Sequence, residues 1–301
     1  MTSRKADAVL IFACLLWGVS FVVVKGALQD ITPCAFAAIR FGIAALALAP
    51  FARLGRPWSR TELLGGALLG LQLGGGFLAQ TAGLVWTTPS RSAFIVAISS
   101  VLAPVFAAVV LRERPRWPLV VALALATLGL YWLTDPGGVT GGLNRGDALT
   151  LITALLFGGQ IVAIAALSRR FDAVRLVWMQ VVVTAAMGGL GALVLERPRV
   201  HWTPAVAAAI AFTAVGATAV ALWLQIVAQR YMSSARAALL FCFETLFAAT
   251  TSWLVLGERL SGLQWLGGGL ILGGMVLAEV KPQPAPVEVP GPHDDISAPQ
   301  P

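Results

Sequence analysis

The sequence predicts an all-α integral membrane protein in which ten transmembrane helices form two inverted five-helix repeats. Three observations lead there: an excess of apolar residues, ten runs long enough to cross a bilayer, and a gapless match between the two halves. Of the 301 residues, 58% are hydrophobic and 12% charged, and the mean hydropathy is +0.83. Soluble domains carry about 25% charged and about 45–50% apolar residues. A soluble particle of this size has too little interior for the surplus, so lipid is the solvent that fits. The net charge of +7 raises the question of a nucleic-acid partner. The basic residues fall in twos and threes between apolar runs, however, which points to a lipid bilayer and not to nucleic acid.

Crossing a hydrocarbon layer of about 30 Å takes roughly 20 helical residues. Runs of that order lie at 7–27, 33–52, 62–85, 90–111, 116–134, 147–167, 174–195, 203–227, 234–256 and 262–280. Turn and charge signals separate them, among them "QDITP", "RERPRWP", "DPGGVTGGLNRGD" and "GERLSG". Each run reads as a helix, because an isolated strand in lipid leaves its backbone groups unsatisfied and no alternating barrel pattern is present. The basic start "MTSRKADAVL" leads into the first span, read as uncleaved. Residues 281–301 are Pro-rich and apolar-poor, and are expected to be a disordered cytoplasmic tail. Cys14, Cys34 and Cys242 have no metal-binding spacing and read as small hydrophobes.

Lysine and arginine set the orientation. With the N-terminus inside, fourteen of the twenty-one lie on the cytoplasmic side and six outside, with Arg40 at membrane depth. The positive-inside rule then places both termini in the cytoplasm of a multi-pass protein of the cell inner (plasma) membrane. Trp58, Trp86, Trp117, Trp132, Trp202 and Trp265 sit near span ends, where aromatic belts form.

The halves repeat. Residues 80–114 align without gaps onto 225–259, pairing Gln80 with Gln225, Arg91 with Arg236, Glu113 with Glu258 and Arg114 with Arg259. Residues 7–21 align onto 147–161. The expected organisation is a first repeat over 5–134, a periplasmic-side connector over 135–146 and a second repeat over 147–280. Five helices per half is an odd number, so the halves cross the membrane in opposite senses, an arrangement associated chiefly with transporters.

The first helix contains "WGVSFVVVK" (17–25), the second begins "TPCAFAAIRF" (32–41), the fourth ends "VVLRER", and the ninth reads "LLFCFETLFAATTSWLVLGER". Taken together these motifs resemble the drug/metabolite transporter superfamily, in particular its ten-helix members built from two EamA-type repeats. The resemblance spans about residues 5–280. Relatives usually place a proline after the ninth-helix acid, where this chain has Thr245. The resemblance implies export of small metabolites, amino acids or drugs by alternating access, facilitative or proton-coupled, and Lys25 occupies the family's lysine position.

Glu244 is the residue most in need of an explanation. It is the one acid of the fourteen at mid-membrane depth, where a charge costs about 2.5–3.5 kcal/mol on insertion scales. Either it is a protonated packing group hydrogen-bonded to a neighbouring helix, or it faces an aqueous cavity and binds an amine or exchanges a proton. Its partner in the repeat alignment is Ser99. Arg40, seven residues after Pro33, sits about 10 Å deep at 1.5 Å per residue. It reads as a snorkelling anchor, a site for a substrate carboxylate, or a partner of Glu244. Gln72, Gln160 and Gln180, with the repeat-related Gln80 and Gln225, read as interhelical glue or as the lining of a polar pathway. Trp17, Phe21 and Trp178 are candidates for apolar or cation–π contact with a solute.

Other classes fit less well. No HExxH motif occurs, His201 and His293 lie in a loop and the tail, and one acid at depth makes no carboxylate pair. An intramembrane enzyme, a metal site and a bound cofactor are therefore not expected. No Walker-type phosphate loop supports ATP-driven transport. A non-transporting scaffold or regulator is the alternative to a transporter, and monomer and homodimer are both open.

Overall fold

The computed structural model describes residues 3–52, 57–111, 117–133, 142–232 and 234–279. The tail over 281–301 and most of the connector over 135–146 lie outside the described residues. Ten helical rods follow one another among those described: α1 (Ser3–Ala27), α2 (Pro33–Ala52), α3 (Arg60–Gly83), α4 (Pro89–Leu111), α5 (Trp117–Leu133), α6 (Arg145–Leu167), α7 (Ala173–Val194), α8 (Pro204–Gln229), α9 and α10 (Gly262–Glu279). The ninth rod has two pieces, Ser234–Leu240 and Cys242–Leu256. The only β-pairing among the described residues is an isolated bridge between Ile31 and Val200. Seven rods, α1–α4 and α6–α8, are long and apolar enough to cross a bilayer. Among the described residues α5 and α9 carry the apolar stretches Val120–Leu133 and Phe243–Leu256.

Local chemistry starts and stops the rods. Asn144 and Asp147 form a reciprocal capping box at the start of α6, satisfying two backbone donors that the first turn leaves orphaned. The Asp172 side chain accepts from the N–H groups of Val174 and Arg175 at the start of α7, and Thr203 caps α8 ahead of Pro204. Glu196, from the loop after α7, accepts the Cys34 N–H at 3.0 Å, putting an anion at the positive end of α2. The C-terminal end of α9 closes on Gly257, whose φ of 66° is left-handed and suits glycine.

Two irregularities have no counterpart in the sequence reading. Phe212–Val220, in the middle of α8, is π-helical. In α9 a turn at Phe241 replaces the regular ladder, and the Glu244 N–H bonds the Phe241 carbonyl three residues back at 3.0 Å. Such interruptions widen or tighten a helix and redirect its carbonyls.

The rods pack in matching sets. α2 lies on α7 and α5 on α10. The contact of α4 with α6 is matched by that of α9 with α1, the contact of α3 with α6 by that of α8 with α1, and the contact of α3 with α7 by that of α8 with α2. Small residues allow the close approaches. A Cβ at Gly66, Gly70 or Gly74 on α3 would run into Met179, Val183 or Met187 on α7, so the four-residue glycine spacing lets the two helices nest. Large apolar residues such as Leu46, Leu193, Val194 and Leu254 point outward and are exposed. In water that surface would be a liability, whereas it is what a lipid-facing shell requires.

Candidate functional site

Where α1, α3, α4, α6, α8 and α9 converge, they enclose a cavity of about 60 Å³, room for about four waters at roughly 15 Å³ each. Its walls are mostly apolar, with a few neutral polar groups (Ser20, Gln80, Ser99, Gln160, Gln225) and one acid, Glu244. No lysine, arginine or histidine is among the lining residues. No side-chain hydrogen bond or ion pair joins Glu244 to another described residue. Glu244 therefore lines the cavity as an acid whose side chain has no partner among the described residues.

The lining follows the internal repeat. Carrying the two alignments along their helices pairs Trp17 with Phe157, Ser20 with Gln160 and Phe21 with Ile161. On the other helices it pairs Phe77 with Leu222, Gln80 with Gln225, Val96 with Phe241, and Ser99 with Glu244. Leu73 is the one lining residue whose equivalent, Thr218, does not line the cavity. The cavity thus sits where equivalent positions of the two halves meet.

The close approaches that set its walls are paired too. A Cβ on Gly18 would fall 2.8 Å from the Glu244 carbonyl oxygen and 2.6 Å from Phe247 Cβ. At the equivalent position, a Cβ on Gly158 would fall 3.0 Å from the Ser99 carbonyl oxygen. These glycines hold α1 against α9 and α6 against α4, backbone to backbone. The same helix pairs are tied again near their starts, by Arg236–Asp7 and by Arg91–Asp147. The second pair is buried, with side chains 4% and 0% exposed, whereas the first is 48% and 20% exposed. Equivalent residues thus make the same ion pair in two different environments.

Trp17, Phe21, Gln80, Ser99, Gln160, Gln225 and Glu244 all line the cavity. Arg40, Gln72, Gln180 and Trp178 are not among the lining residues. Arg40 is 1% exposed; its Nε donates to Thr218 Oγ1 at 2.7 Å and its Nη2 to the Ala217 carbonyl at 3.4 Å. Its guanidinium lies over the rings of Phe41 and Phe77, so it neither snorkels nor pairs with Glu244. The same Ala217 carbonyl accepts the Trp17 indole N–H at 2.8 Å, which makes the π-helical stretch of α8 the bracket for both side chains. Gln180 stands behind the wall and accepts from Gln160 Nε2 at 3.1 Å. Gln72 lies beside Gly159, where an added Cβ would come within 2.9 Å of its Nε2. The Trp178 indole donates to the Ala45 carbonyl and its ring packs at a 43° tilt against Trp58, 5.7 Å between centroids.

Ser20, Leu73, Phe77, Val96, Phe157, Ile161, Leu222 and Phe241 also line the cavity and were not singled out from sequence. A usable signal existed for several. Applying the 7–21 alignment to Trp17, Phe21 and Gln160 lands on Phe157, Ile161 and Ser20. No cluster of three or more metal-ligating side chains occurs among the described residues.

Paired rods with a lipid-facing shell and a small central cavity define a multi-pass membrane protein whose two halves share one interior site. The chain belongs to the EamA-like transporter family, whose pattern matches twice, over residues 4–134 and 144–279; membership of the drug/metabolite transporter superfamily follows. It is therefore a membrane transporter. One similar protein, from Archaeoglobus fulgidus and described as an uncharacterized transporter, is 32% identical over 277 residues, covering 92% of this chain and 86% of its own. A second from the same organism, similarly described, is 28% identical over 284 residues, covering 91% and 96%. A crystal structure with 20% identity superposes with a TM-score of 0.67 over 91% of this chain and 96% of its own, a likeness of fold.

Proposed function

We propose that the protein is a secondary exporter of small solutes that works by alternating access, with the solute held in the central cavity beside Glu244. The observation that carries this reading is the lining itself, in which seven pairs of equivalent residues from the two halves surround one small space. If the halves are inverted repeats, exchanging their conformations closes the cavity to one face and opens it to the other while the site stays put. The matched helix contacts and the two equivalent ion pairs support such an exchange. Glu244 then serves once per molecule, as the group that binds a positive solute or exchanges a proton for it, while Ser99 offers only a hydroxyl from the equivalent position of the other half.

The test is solute flux in sealed proteoliposomes of the full-length protein, driven first by a solute gradient and then by a pH gradient. The reading expects saturable flux of at least one small solute, abolished by Glu244→Gln in the pH-driven arm. If the reconstituted protein moved no solute under either gradient, it would not be a transporter of this kind. Full pH-driven flux in Glu244→Gln would leave Glu244 as packing only.

A further inference from the structure

We infer that the site selects small organic monocations, such as alkylammonium ions, over zwitterions and anions of the same size; this rests on the reading of the cavity as the solute site. Glu244 is the one ionisable side chain among the described residues of the lining, and none of them pairs with it. An ammonium ion beside an ionised Glu244 leaves the cavity neutral and makes a charge-assisted hydrogen bond. A zwitterion leaves one net negative charge buried at membrane depth, and a carboxylate leaves two. Gln80, Gln160 and Gln225 can donate hydrogen bonds to a carboxylate, but amides do not neutralise it.

Arg40 is the obvious candidate to supply the missing positive charge, and the geometry turns it away. Its Nε and Nη2 are engaged by Thr218 and Ala217, and its guanidinium lies 4.8 Å from the centroid of the Phe77 ring. Phe77, not Arg40, reaches the cavity. The wall next to Glu244 suits a weakly hydrated cation. Phe241 lies one turn before the acid on α9, and its ring centroid is 6.1 Å from that of Trp17 across the α1–α9 contact. Both rings line the cavity. A carboxylate and two aromatic side chains on one cavity lining offer Coulomb attraction and cation–π attraction to the same alkylammonium head. The cavity volume sets the body at a short alkyl chain.

Equilibrium binding to the full-length protein in lipid nanodiscs tests this with three probes of closely similar size: isobutylammonium, alanine and isobutyrate. Isobutylammonium should bind at least about tenfold tighter than alanine, and isobutyrate should not displace it. Glu244→Gln should erase the preference, and Phe241→Leu, which keeps an apolar side chain but removes the ring, should weaken isobutylammonium about threefold or more. Alanine or isobutyrate binding as tightly as the amine would overturn the inference, as would no amine binding up to roughly 10 mM. The two readings separate cleanly in sealed vesicles. Amine binding without flux sinks the transporter reading and keeps the cation site; flux of alanine with no preference for the amine does the reverse.

Discussion

Gly18 lies against the backbone of Glu244, so close that a single added carbon on the glycine would come within 2.8 Å of the glutamate carbonyl oxygen. Gly158 stands in the same relation to Ser99 at 3.0 Å. One contact positions the only acid among the described lining residues and the other its hydroxyl counterpart. The placement of Glu244 is therefore set by a glycine on another helix, seated at one of the closest helix crossings in the molecule.

Enlarging Gly18 should consequently disturb the site more than enlarging Gly158. Gly18→Ala places a methyl 2.6 Å from Phe247 Cβ and 2.9 Å from the Ala248 nitrogen, whereas at Gly158 the nearest atoms are 3.0 Å away. Overpacking of this kind costs about 1–3 kcal/mol. Thermal unfolding in detergent should show a larger loss for Gly18→Ala, together with impaired solute binding. A Gly18→Ala protein as stable and active as the parent would show that the α1–α9 crossing has slack.

The two equivalent ion pairs should differ in their contribution to stability. Arg91→Ala strands the buried Asp147, a change that costs about 3–5 kcal/mol. Arg236→Ala removes a partly exposed pair and should cost about 0–1 kcal/mol. The comparison is again thermal unfolding of the purified variants. Equal losses would contradict the difference in burial between the two ends.

Trp17→Phe keeps an aromatic ring in the wall and deletes the indole N–H that reaches Ala217 at 2.8 Å. A hydrogen bond of this kind contributes about 1 kcal/mol, or roughly fivefold in affinity. Solute affinity should fall by that order while the folded yield stays near normal. Unchanged affinity would mean that the Ala217 bracket does not fix the ring.

Both termini should report from the cytoplasm. The imbalance of fourteen basic residues against six predicts that reporter domains fused to either end are active inside the cell and silent outside. Opposite sides for the two fusions would require an odd number of crossings and would break the two-repeat scheme.

The spans and the repeat were legible because they rest on properties that every residue carries: hydropathy over about 20 positions, and a fixed offset between polar residues. The site was legible where one residue type is costly in lipid, as with Glu244, Gln80 and Gln225. It was not legible at Ser20, Phe157 or Ile161, which are ordinary side chains for a membrane helix and become informative only through their repeat partners. Depth alone does not place Arg40 or Trp178 relative to the cavity, since the position of a residue along a helix does not give the direction of its side chain. The acceptor that holds Arg40 is a backbone carbonyl in the π-helical stretch of α8, and carbonyls leave no mark in sequence. The turn at Phe241 likewise forms without the proline or glycine that would have announced it.

Alternating access requires the cavity lined by Ser99 and Glu244 to open to each face in turn. Ser99→Cys is a near-isosteric probe in a background lacking Cys14, Cys34 and Cys242, and impermeant thiol reagents can be applied to one face at a time in oriented vesicles. The account predicts labelling from either face, with protection by isobutylammonium from both. Labelling from neither face, or from one face alone under every gradient imposed, would contradict it.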